Sequence, residues 1–164
     1  MVNCLVTGVG SLIGQGIIKA LKESSLPCRI VGTDYFDHAV GLYWLDQGYI
    51  LPDLLDKNIR EDVWVERMID ILKSEKINIV LIGLDFEVDV LARHKEKMEA
   101  ATGAKIIVGD PAAVDICKDK WKTTLFLKDH DLPYPDSCLP EDRDTFLRGH
   151  DFPLATFNAV AKLH

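Results

Sequence analysis

Short apolar runs that stop at glycine or aspartate recur along this chain, and helix-forming stretches separate them. Residues 2–7, 29–33, 77–82 and 105–108 are such runs; they end at Gly8, Asp34, Gly83 and Gly109. Runs of this length read as buried strands. The stretch 77–82 is almost wholly aliphatic, the pattern of a strand covered on both faces. Alternation of strand and helix implies an α/β fold with a mainly parallel sheet, helices on both faces and right-handed crossovers. A Rossmann-like three-layer domain is therefore expected. Its ligands should meet the carboxyl ends of the strands.

The helices follow from spacing and punctuation. Ser11 stands where a helix N-cap is needed, and Leu12, Ile13, Ile17, Ile18 and Leu21 read as its apolar stripe. Residues 61–74 place Trp64, Met68, Ile71 and Leu72 on one side. Residues 85–101 form a third helix, which Gly103 ends as a left-handed cap. Asp110-Pro111 opens a short helix to about residue 117, and a further helix covers about 119–130. Between 35 and 59 only a short strand at 49–51 is legible.

Bulk properties exclude several functions. The chain has 164 residues, 48% hydrophobic and 27% charged, enough for a sizeable core. A net charge of −7 argues against a nucleic-acid partner, and the cluster Lys118, Lys120 and Lys122 is too small to reverse that. Four cysteines without Cys-x-x-Cys spacing and five histidines without ligand spacing predict no metal site. Cys4 and Cys28 read as small buried hydrophobes. No stretch approaches the ~20 apolar residues of a membrane span, and the first apolar run is too short for a signal peptide. A reduced, cytoplasmic location is expected.

The loop Thr7-Gly8-Val9-Gly10-Ser11-Leu12-Ile13-Gly14 joins the first strand to the first helix. Gly8 permits a tight turn and Gly10 a close ligand approach, while the helix N-terminus faces an anion. The spacing Gly-x-Gly-x-x-x-Gly departs from the dinucleotide fingerprint, whose third glycine would stand at Ile13. Asp34 reads either as a ribose-hydroxyl acceptor or as a polar residue ending its strand. Asp85 and Glu87 read either as helix-dipole partners or as carboxylates facing a substrate amine. Tyr35, Phe36 and His38 fall where they would line the same crevice.

Several segments together resemble one family. They are residues 5–21 followed by Ile30-Val31-Gly32-Thr33-Asp34, the stretch 77–91, and Lys105-Ile106-Ile107-Val108-Gly109-Asp110-Pro111. Asp119-Lys120 follows, with Leu132-Pro133-Tyr134-Pro135 downstream. Over about residues 1–140 this order is similar to the pre-ATP-grasp domain of carbamoyl-phosphate-synthase-large-chain-like proteins. The resemblance implies a pre-ATP-grasp fold at 1–116, then a linker helix and the start of an ATP-grasp domain at 117–164. It implies a carboxylate-activating ligase that uses ATP and Mg²⁺. With a small carboxylate or phosphate substrate, Gly8, Gly10 and Ser11 would contact its anion or the nucleotide edge, Asp34 a ribose hydroxyl, and Asp85 and Glu87 a substrate amine; Lys120 matches the family residue that approaches the ATP phosphates.

The family pattern then breaks. Phe152-Pro153-Leu154 fits it, but Phe157 and Asn158 stand at the expected lysine and proline positions. The expectation is a catalytically incomplete chain, with no catalytic residue of its own and no tight cofactor binding alone. Either the chain is truncated or the missing lobes are a partner chain. The apolar residues Phe152, Leu154, Phe157, Val160 and Leu163 would cover its own domain or a partner, as in a homodimer. Two other readings stand beside this one: a non-catalytic assembly domain, and an NAD(P)-binding domain of the dehydrogenase type.

Overall fold

A computed structural model describes residues 1–149. The chain divides into two compact units, Met1–Val114 and a second beginning at Asp115.

The first unit holds five strands: β1 (Val2–Val6), β2 (Cys28–Asp34), β3 (Gln47–Ile50), β4 (Ile79–Leu81) and β5 (Lys105–Ile106). Their order is β3-β2-β1-β4-β5 and every pairing is parallel. Helices α1 (Leu12–Glu23), α2 (Glu61–Ser74) and α3 (Asp85–Thr102) connect them. The strand order reverses direction between β1 and β4, which opens a crevice at their carboxyl ends.

One face of the sheet presents Leu5, Val31, Val80 and Ile106 to α2 and α3, where Trp64, Met68, Ile71, Leu72, Leu91 and Met98 close the larger core. Trp64 is 1% exposed, so the helical spacing of 61–74 placed its stripe correctly. On the other face Val6 and Ile30 pack with Val9 and Ile18, and with Leu42 and Leu45 beside them. Gly103 ends α3 at φ 75°, its amide donating to the Glu99 carbonyl at 2.8 Å.

Three local expectations change. Leu12 and Ile13 are 88% and 53% exposed rather than buried in the α1 stripe. Gly14 sets the buried face instead: a Cβ there would stand 2.2 Å from the Gly8 carbonyl oxygen, so the helix meets the loop backbone at this residue. At 100° per residue, Leu12 then points away. Secondly, one face of β4 is only partly covered, because Ile79 and Leu81 remain half-buried. Thirdly, the segment after β2 contains a 3₁₀ turn, Val40–Trp44, before β3. The Asp46 carboxylate accepts from the Ile30 amide at 2.7 Å, and its own amide donates to the Ile30 carbonyl at 3.0 Å. That side chain fixes the return into β3 without any sequence periodicity.

Helix α4 (Pro111–Cys117) runs across the boundary between the units. The second unit contains α5 (Lys120–Asp129), a 3₁₀ turn at Pro140–Asp142 and α6 (Arg143–Gly149). Asp119 caps α5, its carboxylate accepting from the Trp121 and Lys122 amides. Phe152, Leu154, Phe157, Val160 and Leu163 lie outside the described residues.

Candidate functional site

The carboxyl ends of β1, β2 and β4 converge on the glycine loop. Gly8 adopts φ 55°, and a Cβ on it would stand 2.2 Å from Leu84 Cγ. Both the backbone and the space thus require glycine. The Ser11 hydroxyl donates to the Gly83 carbonyl at 2.7 Å and accepts from the Gly14 amide at 2.8 Å. One side chain therefore caps α1 and ties it to the loop after β4. The Gln15 amide group donates to the Gly10 carbonyl at 2.8 Å.

Asp34 is 3% exposed, and its carboxylate is engaged on both oxygens. Oδ2 accepts from the Gly10 amide at 2.7 Å and Oδ1 from the Phe36 amide at 2.9 Å. The Ser11 amide donates to the Gly8 carbonyl at 2.9 Å, and the Val9 amide to the Thr33 carbonyl at 3.2 Å. The loop's own amides are thus directed inward. The amides of Leu12 and Ile13, in the first turn of α1, have no acceptor within the helix.

Over this loop lies a hollow of about 590 Å³ lined by Gly10, Ser11 and Asp34 together with Phe36, Val40 and Leu84, among others. Tyr35 and His38 also reach it, so all three crevice residues expected after β2 are present. Tyr35 packs edge-on against Phe86 at 5.8 Å between ring centroids, linking the β2 loop to the first turn of α3. Ala39, Val40 and Leu84 carried no chemical signal in the sequence; only the 3₁₀ turn and the strand-end geometry bring them in.

Glu87 is not among the residues lining the hollow and is 3% exposed. Burial pushes its carboxyl up to about 7; a hydrogen bond from Thr7 opposes that rise and the nearby Asp34 adds to it. Thr7 Oγ1 in turn accepts from the Gly83 amide at 3.1 Å. A chain of contacts therefore runs from Glu87 through Thr7 and Gly83 to Ser11. Among the described residues, Glu87 Oε2 and the hydroxyl of Thr33 are buried without a hydrogen-bond partner. Asp85 is exposed at the start of α3. Lys120 is exposed in the first turn of α5, in the second unit. No group of three or more metal-ligating side chains occurs among the described residues. No helix among them is long and apolar enough to cross a membrane.

A five-stranded parallel sheet with a glycine loop at its switch point defines a Rossmann-like α/β domain. Residues 4–107 match the family model for the PylC-like N-terminal domain, and the chain belongs to that family. It is 28% identical over 127 residues to carbamoyl-phosphate synthase of Methanobrevibacter smithii, a match covering 77% of this chain and 32% of the relative. Among solved structures it is similar to N5-carboxyaminoimidazole ribonucleotide synthetase of Thermotoga maritima. There the TM-score is 0.62 and the identity 20%, with coverage of 93% of this chain and 37% of that one. It is also similar to the biotin carboxylase domain of Hydrogenobacter thermophilus 2-oxoglutarate carboxylase, a dimer solved with MgADP, ADP and bicarbonate. In that case the TM-score is 0.57 and the identity 20%, covering 92% of this chain and 33% of the other. The chain spans about a third of the length of the proteins it matches. The pre-ATP-grasp fold and the carbamoyl-phosphate-synthase-like character expected from the residues both hold.

Proposed function

We propose that this chain supplies the N-terminal domain of an ATP-dependent, carboxylate-activating ligase, with the hollow over the glycine loop as its small-molecule site. The observation that carries the reading is the family match over 4–107, which includes every residue lining that hollow. The solved relative with MgADP and bicarbonate supports ATP, Mg²⁺ and a small carboxylate as the ligands of the whole assembly.

The Gly10 and Ser11 amides are already engaged, so an anion at this end of the sheet would use the first amides of α1, at Leu12 and Ile13, which lie outside the lining of the hollow. Gly8, Gly10 and Asp34 act by holding that helix end in place, and Ser11 by fixing it to Gly83. Asp85, exposed at the start of α3, is the carboxylate available to a substrate amine. Glu87 acts on the loop after β4 through Thr7. Lys120, just past the proposed boundary at 116/117, approaches the ATP phosphates once the two ATP-grasp lobes are present. Its cation offsets the polyphosphate charge. Those lobes, on a continuation of this polypeptide or on a partner chain, would grip the metal and the transferring phosphoryl group. A homodimer and a cytoplasmic setting fit the same reading.

The test is calorimetry and ATP-hydrolysis assay of the chain alone and mixed with C-terminal ATP-grasp lobes from a relative. The expected result is weak binding of a carboxylate alone and ATP turnover only in the mixture. ATP hydrolysis at an enzymatic rate by the chain alone, or stabilisation by NADH and not by carboxylates, would overturn the reading.

A further inference from the structure

A second hollow, of about 200 Å³, opens at the other end of the sheet, where β1 and β2 begin and α1 ends. Val2, Leu21, Leu26, Ile79 and Leu81 make its walls almost wholly apolar, and both Cys4 and Cys28 line it. Here β4 shows its partly covered face. The thiols are free, Cys4 buried and Cys28 half-buried. In the β1–β2 register Val2 pairs with Cys28 and Cys4 with Ile30, so the cysteines are diagonal neighbours on one face of the sheet. The Cys28 thiol donates weakly to the Leu21 carbonyl at 3.8 Å, and the nearby Cys28 adds to burial in pushing the Cys4 thiol up.

Two thiols side by side in a dry hollow have two obvious uses. The first is a disulfide, which needs Cα atoms about 4.4–6.8 Å apart. With strands about 4.8 Å apart and a rise of about 3.3 Å per residue, diagonal neighbours on parallel strands stand about 8 Å apart, outside that window. The second is joint coordination of a metal. Two metal–sulfur bonds of about 2.3 Å in line span about 4.6 Å, which a diagonal pair reaches by rotating side chains alone. The hollow offers no carboxylate or imidazole, so calcium, magnesium and zinc find no ligand set there. Soft cations that accept two sulfurs do.

We propose that Cys4 and Cys28 form a two-thiolate site for a soft closed-shell cation, Cu(I) or Ag(I). Binding breaks two S–H bonds and forms two metal–sulfur bonds; both protons pass to solvent and no electron is transferred. The ion would bridge β1 to β2 near their first residues, at the other end of these strands from the substrate hollow.

The experiment uses the full chain carrying Cys117→Ser and Cys138→Ser, which removes the other two thiols. Native mass spectrometry with Ag(I), and anaerobic titration with Cu(I) against a colorimetric chelator, should each show one ion per chain. X-ray absorption should show sulfur neighbours only, and Zn(II) should not bind. Adding Cys28→Ser at the half-buried position, or Cys4→Ala if Cys28→Ser fails to fold, should abolish binding while far-ultraviolet circular dichroism is kept. Absence of bound ion in the starting protein overturns the proposal, as does an ion retained in a folded single-thiol variant. So does a Cys4–Cys28 disulfide formed with hydrogen peroxide, seen as the loss of two hydrogens in the intact mass. None of these readings depends on ATP or a carboxylate, so this proposal stands or falls separately from the proposed ligase role.

Discussion

The Asp34 carboxylate holds the glycine loop, accepting from the Gly10 amide at 2.7 Å while its other oxygen accepts from Phe36. It occupies the side of the loop where an external anion would otherwise compete for the same amide. Replacing it removes two charge-assisted hydrogen bonds in a nearly dry place. Asp34→Ala should cost about 3 kcal/mol and Asp34→Asn about half that, since the amide oxygen still accepts one bond. Urea unfolding checks the cost, and the Gly10 amide resonance reports the lost contact directly. A loss near zero for Asp34→Ala would show that the loop holds itself.

Gly8 is the second anchor. Its φ of 55° and the 2.2 Å approach of Leu84 Cγ to a built Cβ act together. Gly8→Ala should cost about 3 kcal/mol, combining the left-handed backbone penalty with overpacking. Adding Leu84→Ala relieves the overlap and leaves the backbone penalty, so the double variant should be less destabilised than additivity requires. Strict additivity in thermal unfolding would show that Leu84 is not the obstacle.

How much of this was legible in the sequence depended on which force placed each residue. The stripe of Trp64, Met68, Ile71 and Leu72 is a burial pattern at helical spacing, and it was readable. The same rule misplaced Leu12 and Ile13, because at that turn the helix packs through Gly14, whose lack of a side chain gives no hydrophobic signal. The return from β2 to β3 rests on the two hydrogen bonds between Asp46 and Ile30, a long-range side-chain device invisible to periodicity. In the site, Gly8, Gly10, Ser11 and Asp34 were found from loop chemistry, and Tyr35, Phe36 and His38 from their place after β2. What the sequence could not tell was direction. It left open whether Asp34 takes a ribose hydroxyl or simply ends its strand, and whether Glu87 serves the dipole of α3 or faces a substrate amine.

Ser11 joins the two halves of the switch point. Ser11→Ala removes the α1 cap and leaves the Gly83 carbonyl without its hydroxyl donor. The expected cost is about 2 kcal/mol, the sum of a typical cap and one exposed-to-buried acceptor. Ser11→Thr, which keeps the hydroxyl, should recover most of it. Hydrogen exchange at Gly14 separates this from a general loosening: its protection should fall in Ser11→Ala and persist in Ser11→Thr.

Glu87 makes the strongest prediction about pH. Its folded-state carboxyl titrates at about 7, above the ordinary value of 4.5, chiefly because of burial. The protonated form is therefore favoured by folding. Its contribution is fully present below pH 4.5 and is lost as pH rises through 7. The difference amounts to about 3 kcal/mol between pH 5 and 9. Lowered carboxyls such as Glu61, held down first by Arg93, act in the opposite sense: their stabilisation is present above pH 4.5 and fades in acid. The protein should thus be most stable in a window between these two effects, near pH 5–6. Glu87→Gln has the shape of the protonated acid and keeps an acceptor for Thr7. It should match the native protein at pH 5 and exceed it at pH 8 by on the order of 2 kcal/mol, flattening the alkaline limb of the stability curve. Chemical denaturation at the two pH values measures this, and an unchanged alkaline limb in Glu87→Gln would assign the loss to another group.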